Sequence, residues 1–220
     1  QVGSIMAFMQ YAMQVIMAFL MITVVSIMIP RANVSALRIN EILTTNLSIT
    51  DNEHVQSFDG NEHGTIRFEN VSFRYPGADE DILTDISFEA KPGEVTAFIG
   101  STGSGKSTLI NLVPRFYDVS EGSISIDGKD IRNVEQKELR NKIGYVPQKA
   151  VLFSGTIDSN IRYGAEDSTK EDIREAASIA QAMEFIESKP DKFETEISQG
   201  GTNVSGGQKQ RLSIARALAK

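Results

Sequence analysis

The run Gly100-Ser101-Thr102-Gly103-Ser104-Gly105-Lys106-Ser107-Thr108 constrains this chain more than any other stretch. It fits the phosphate-loop pattern G-x-x-x-x-G-K-S/T, and its surroundings fit as well as its letters. In front lies Glu94–Ile99, a short apolar run with β-branched residues, which predicts a buried strand. Behind it, Lys106–Val113 carries apolar residues at helical spacing. Strand, glycine loop and helix form the context in which backbone N–H groups and a helix N-terminus converge on an anion. A polyphosphate is the guest such a loop takes. Lys106 reaches its β- and γ-phosphates and the Ser107 hydroxyl ligates Mg2+. A glycine turn arising by chance has no reason to be flanked in this order.

A chain of 220 residues holds one or two domains with ample core. Its formal charge of −7 and the absence of a basic stripe argue against nucleic acid as a partner. There is no cysteine, which excludes disulfides, thiolate metal sites and a cysteine nucleophile. The two histidines, His54 and His63, stand among polar residues and read as solvated loop positions without a metal role.

Charge is distributed unevenly, for none precedes Arg31. Val2 to Ile29 is almost wholly apolar and exceeds the about 20 residues needed to cross a bilayer, so it predicts a transmembrane helix. A secretory signal would carry basic residues in front and a shorter apolar core. Gln10 and Gln14, with Tyr11 beside them, share one helical face. They serve either a helix–helix hydrogen bond or a translocation pathway. Arg31 and Arg38 place the C-terminal end of the span in the cytoplasm. Helical periodicity continues through Leu43, and Thr44 to Gly60 is polar and rich in breakers, as a linker is.

From Gly64 the pattern changes to strands. Ile66, Phe68, Val71 and Phe73 mark a ribbon with one buried face, and Ile86–Glu89 a second. Gly122–Asp127 alternates and closes at Asp127-Gly128, a short helix spans Glu135–Asn141, and Ile143–Val146 reads as another strand. Beyond Gln148 the composition is helical. Ser168 and Glu171 form a capping-box pattern ahead of Ile173, Ala176, Ala177 and Ala180. Ser205-Gly206-Gly207-Gln208 leads into a last helix with Leu212, Ile214, Ala215 and Leu218 inward. Ser205 caps that helix, and a first turn made of glycine lets a phosphate approach closely.

Four patches in this order resemble the ATP-binding cassette (ABC) transporters, in particular exporters that fuse a membrane domain ahead of the nucleotide-binding domain. They are Phe73-Arg74-Tyr75-Pro76-Gly77, the phosphate loop, Tyr145-Val146-Pro147-Gln148, and Asn203-Val204-Ser205-Gly206-Gly207-Gln208-Lys209-Gln210-Arg211. The resemblance implies that Tyr75 stacks on adenine and that Gln148 touches Mg2+ and relays contact to the membrane domain. It also implies that Ser205, Gly206, Gly207 and Gln208 contact, in trans, the γ-phosphate of ATP held by a partner subunit. Val204 stands where the family usually has leucine. The implied fold is an α/β P-loop nucleotide-binding domain with a mixed sheet core, an antiparallel β subdomain and a helical subdomain, preceded by one transmembrane helix. Its expected boundaries are a last membrane helix over 1–30, a cytoplasmic helix extension and linker over 31–60, and a C-terminally incomplete nucleotide-binding domain over 61–220. The helical subdomain starts near 149.

In the family a strand ending in Asp and then a catalytic carboxylate follow the signature helix. The resemblance therefore implies a longer polypeptide, with the catalytic carboxylate beyond Lys220 and no activity in residues 1–220 alone. Ser198–Asn203 lacks the glutamate usual near Gln199, and Gln148-Lys149-Ala150-Val151 lacks the acidic residue that often follows the glutamine. Both departures resemble the less active half of bacterial heterodimeric multidrug exporters. The expected function is thus an ATP-driven exporter subunit of the plasma membrane, in contact with membrane lipid, with its motor in the cytoplasm. Its partner is a second half and its cargo an amphipathic drug-like molecule, lipid or peptide. The competing readings are a soluble family ATPase acting on nucleic acid or ribosomes, and a regulator or receptor that binds ATP without moving cargo.

Overall fold

The computed structural model describes residues 2–52, 55–58, 64–165 and 167–220; His54 and His63 lie outside them. It divides into two compact units, Gln1–Ser48 and Ile49–Lys220.

The first unit is one helix, α1 (Val2–Thr44), 43 residues long with none buried. At 1.5 Å per residue it extends about 65 Å. It is long and apolar enough to cross a membrane. Two of its hydroxyls are satisfied within the helix: Thr23 and Ser26 donate to the carbonyls of Phe19 and Ile22 at 3.0 and 2.8 Å. The helix runs through Pro30 without ending. The extension expected beyond the span is therefore continuous with it.

In the second unit β1 (Ile66–Phe73), β2 (Leu83–Ala90), β3 (Glu121–Ile126) and β4 (Lys129–Asp130) form an antiparallel sheet in the order β2-β1-β3-β4. Phe68 pairs with Phe88 on one side and Ile124 on the other. Alternation then puts Phe68, Val71, Phe73, Ile124 and Ile126 into one core, which Leu109 and Leu112 of α2 (Lys106–Leu112) complete. A bulge interrupts the β1–β2 pairing between Phe68 and Val71. There Asn70 at φ 48° donates its side-chain amide to Asp85, itself at φ 51°. A Cβ on Gly122 would lie 2.3 Å from two carbonyl oxygens of this bulge, so β3 can pass it only with glycine.

After α3 (Gln136–Asn141) come α4 (Ile157–Arg162), α5 (Lys170–Ile179), α6 (Met183–Glu187) and α7 (Gly206–Leu218), with the two-residue strands β5 (Gly155–Thr156) and β6 (Glu196–Ile197) between them. Leu152, Ile157, Ile161, Ile173, Ala177, Ile186, Leu212 and Ala215 build a second core. Val204 is buried in it, so its departure from leucine falls on a packing position.

Several expectations are corrected. Glu94–Ile99 and Ile143–Val146 join no ladder, and Val95 and Ile99 are each 96% exposed. A buried strand needs partners on its edges, and parallel strands acquire them only through long crossovers. Among the described residues no segment supplies them, so the ladders are antiparallel apart from the isolated Gln56–Val134 bridge. Among the described residues the two sheets are antiparallel, without the mixed sheet core expected. The capping box of α5 is Thr169 with Asp172 rather than Ser168 with Glu171. Both pairs fit the pattern, but the Ser168 hydroxyl is engaged with the Ala219 carbonyl at 3.2 Å. In α7 Leu218 is 48% exposed, and Ser213 occupies the inner face instead.

Candidate functional site

The phosphate loop opens directly into α2. Gly103 and Gly105 adopt φ of 86° and 83°, left-handed values that glycine reaches without strain. A Cβ on Gly105 would approach Leu83 at 2.7 Å, and one on Gly100 would meet the Ser104 hydroxyl at 2.6 Å. The glycines thus hold the loop tight against β2 and against itself. The Lys106 ammonium donates to the Gly100 and Ser101 carbonyls at 2.9 and 2.6 Å and to the Ser104 hydroxyl at 3.1 Å. Its partners are neutral, so an uncompensated positive charge sits inside a ring of backbone at a helix N-terminus. That arrangement fits an anion. Ser107 follows in the first turn of α2. The described residues contain no group of three or more His, Cys, Asp or Glu able to hold a metal. A Mg2+ held by Ser107 and Gln148 would then take its remaining ligands from phosphate and water, as that ion commonly does.

Tyr75 reaches the same helix. Its hydroxyl lies 3.0 Å from that of Thr108, and its ring makes edge contacts with Phe73 and Tyr117 at 4.9 and 5.2 Å between centroids. Gln148 is exposed, but its approach is fixed. Three residues earlier, the Tyr145 hydroxyl donates to Asn111 of α2 at 2.7 Å, and Phe116 packs edge-on against the Tyr145 ring. The structure therefore gathers Tyr75, Gly100–Thr108 and the approach to Gln148 around α2.

The Ser205–Gln208 turn stands apart. The Ser205 hydroxyl accepts from the Gln208 N–H at 3.3 Å, and the Gln208 side-chain carbonyl accepts from the Ser205 N–H at 2.9 Å, which completes a capping box on α7. The loop behind it is fixed by Asn203, which accepts from Ser198 N and donates to Glu196 O, and by Lys209, which donates to Gly200 O. Among the described residues no hydrogen bond joins this turn to the phosphate loop or Gln148. Gly206 and Gly207 would carry a Cβ with nothing within 4 Å.

Two features escaped the sequence. Arg216 on α7 donates to the Asn160 carbonyl and side chain at 2.8 and 2.9 Å and to Val151 O at 3.1 Å, while its guanidinium packs over Phe153 and Tyr163. Burial pushes its pKa below the usual arginine value. With buried Asn160, which clasps both backbone groups of Phe153, it pins the chain that follows Gln148 to α7. The signal was an arginine in α7 without an acidic partner at helical spacing. The other is Asp51, taken up below.

The family model described as ABC transporter matches residues 83–220. An ABC transporter ATP-binding protein of Mycobacterium tuberculosis is 44% identical over 223 residues, which cover 100% of this chain and 38% of that protein. An ATP-dependent lipid A-core flippase of Chromobacterium violaceum is 50% identical over 157 residues, covering 71% of this chain and 27% of that protein. The structure of a bacterial Atm1-family ABC exporter with ATP bound superposes with a TM-score of 0.79 at 38% identity, covering 87% of this chain and 33% of that one. The chain thus spans well under half the length of these relatives, and the phosphate loop and the capped glycine turn both lie inside the matched region. The chain belongs to the ABC transporter family.

Proposed function

We propose that this chain is the ATP-binding motor portion of an ABC exporter subunit, with α1 as a membrane span and the second unit in the cytoplasm at the plasma membrane. One observation carries the reading. A phosphate loop with an uncompensated lysine and a capped, glycine-opened helix N-terminus occur in one chain without contacting each other. Gly206 and Gly207 have ordinary backbone angles and open surroundings, so this chain's own packing does not call for glycine there. A group from outside does.

A second exporter half supplies that group. Lys106, Ser107 and the loop N–H groups hold the polyphosphate and its Mg2+, Tyr75 offers its ring to the base, and Gln148 approaches the metal. Ser205, Gly206, Gly207 and Gln208 close on ATP bound to the partner. Bound ATP supplies the hydrolysable phosphoanhydride; this chain's residues bind, orient and enclose it. The relatives are an exporter and a flippase by name, which supports an amphipathic cargo and lipid contact along α1, with drug-like molecules the first choice. The departures at Gln199 and after Gln148 support a heterodimer in which this chain is the less active half.

The test is ATP turnover by the full-length dimer in membranes. Changing Ser205 to alanine should abolish it, whereas Lys106→Ala should only reduce it. Equal losses would remove the assignment to the less active half. Full turnover in both variants would end the motor reading itself.

A further inference from the structure

The chain that enters the second unit is strapped to it. Asn52 donates its amide to Arg132 O at 3.0 Å, Gln56 N–H to Asn133 O at 2.6 Å, and Phe58 N–H to Glu138 at 2.7 Å, while Lys129 donates to Ser57 O at 2.6 Å. At its head the strap closes a ring. Asp51 Oδ1 accepts from the backbone N–H and the side-chain amide of Gln136 at 3.1 and 3.0 Å. Gln136 Oε1 accepts from Arg140 Nη2 at 3.0 Å, and that nitrogen also donates to Arg115 O at 3.0 Å. Arg115 returns to the strap through Thr50 O at 3.2 Å and an ion pair with Asp51 at 3.7 Å.

Three segments meet here. Residues 50–51 follow directly on the first unit, Arg115 lies just beyond the end of α2, and α3 leads on to Gln148. Asp51 serves all of them. It caps α3, whose own N-cap residue Glu135 makes no side-chain cap bond, and it faces a guanidinium that is 96% buried by its side-chain exposure of 4%. Arg115 is also held at φ 53° with Asp118 at 2.7 Å, so it moves with the end of α2 rather than swinging freely. Leu112, fully buried one turn earlier, packs that end of α2 into the first core.

We propose that Asp51 is a positioning residue that ties the chain arriving from α1 to both nucleotide-facing segments, so that occupancy of the phosphate loop is felt at residues 49–58. This rests on the ATP-binding reading of the loop. Linkage is reciprocal: if ATP tightens the strap by some factor, loss of the strap must weaken ATP by up to the same factor.

The experiment is hydrogen exchange on the full-length protein with and without ATP–Mg2+, paired with an ATP titration. In wild type, ATP should slow exchange about fivefold or more in residues 49–58 as well as in 100–112. Asp51→Ala should lose the first response, keep the second, and lose a matching factor in ATP affinity. Gln136→Ala, which keeps the Asp51–Arg115 pair, should show a smaller version of both losses and serves if the first variant folds poorly. A strap that is merely structural predicts no ATP effect at 49–58 and unchanged affinity in the variants, and that result overturns the proposal while leaving ATP binding intact. Absence of any response at 100–112 in wild type overturns the ATP-binding reading, and the proposal with it.

Discussion

Replacing Gly206 and Gly207 together by alanine separates the demands of folding from those of function. Glycine inside a helix costs about 1 kcal/mol relative to alanine, and less in the first turn, so about 0.5 kcal/mol for each of these positions. Neither residue has a positive φ, and a Cβ on either meets nothing within 4 Å. No steric term therefore opposes the gain, and the double variant should be about 1 kcal/mol more stable. For a domain of 150–250 residues that raises Tm by about 2–4 °C, readable by scanning calorimetry of the full-length protein. The same two methyl groups would stand between the N-terminus of α7 and a phosphate presented by a partner. Turnover should fall by about a hundredfold or more, the cost of losing one well-aimed donor. ATP binding at this chain's own phosphate loop should change by less than about threefold. A less stable variant would show that the glycines serve this chain's own packing, a variant that keeps its turnover would show that no partner group needs the space, and either result would collapse the argument for a partner at this turn.

Gly122→Ala should behave in the opposite way. Its added Cβ collides with the bulge carbonyls of Glu69 and Asn70, and its φ is 77°, so about 2–4 kcal/mol is lost in chemical denaturation. Tyr75→Phe removes the hydrogen bond to Thr108 but keeps the ring, so it should cost about 0.5–1.5 kcal/mol in chemical denaturation. Asp130 gives a pH signature. Burial raises its pKa, but the hydrogen bonds and charge of Arg132 more than offset this, and the net value lies below the usual 3.8. A carboxylate lowered on folding stabilises above its unfolded pKa and loses that contribution as pH falls through the folded value. Arg132→Ala should therefore destabilise at neutral pH and have little effect in strong acid, below the folded value, which denaturant titrations on either side of that value will check.

What could be read from the sequence was local. The phosphate loop, the Ser205 capping box and the β1–β2–β3 ribbons each depend on residues a few positions apart, or on alternation within one strand. The Thr169 box was missed by one residue because Ser168-x-x-Glu171 satisfies the same local rule, and only the contact of Ser168 with distant Ala219 separates them. Tyr75 is singled out in the sequence through the family resemblance alone. Its bond to Thr108 spans 33 positions, and no periodicity reports on such a distance. The Asp51 ring lay further out of reach, since Asp51 and Gln136 are 85 residues apart in a stretch whose composition marks a linker.

The apolar segments Glu94–Ile99 and Ile143–Val146 carry the same lesson in reverse. Their composition is that of interior strands, yet Val95 and Ile99 stand in water and no ladder holds either segment. Composition expresses what a segment gains when covered, on the order of 1.5–3 kcal/mol for each buried Val or Ile. It does not supply the neighbour that covers it. β1, β2 and β3 supply one another through antiparallel pairing, so their alternation and their burial agree. Around the phosphate loop the two come apart on the strand side only, because α2 finds its cover in the β1–β3 face through Leu109 and Leu112. The loop is thus held from its helix end, by Gly105 against β2 and by Tyr75 and Tyr145 against α2. The contacts of Tyr75 and Tyr145 with the phosphate-loop region converge on that helix. Under the proposal made for Asp51, a pull on Arg115 at its far end would carry to the loop through this helix.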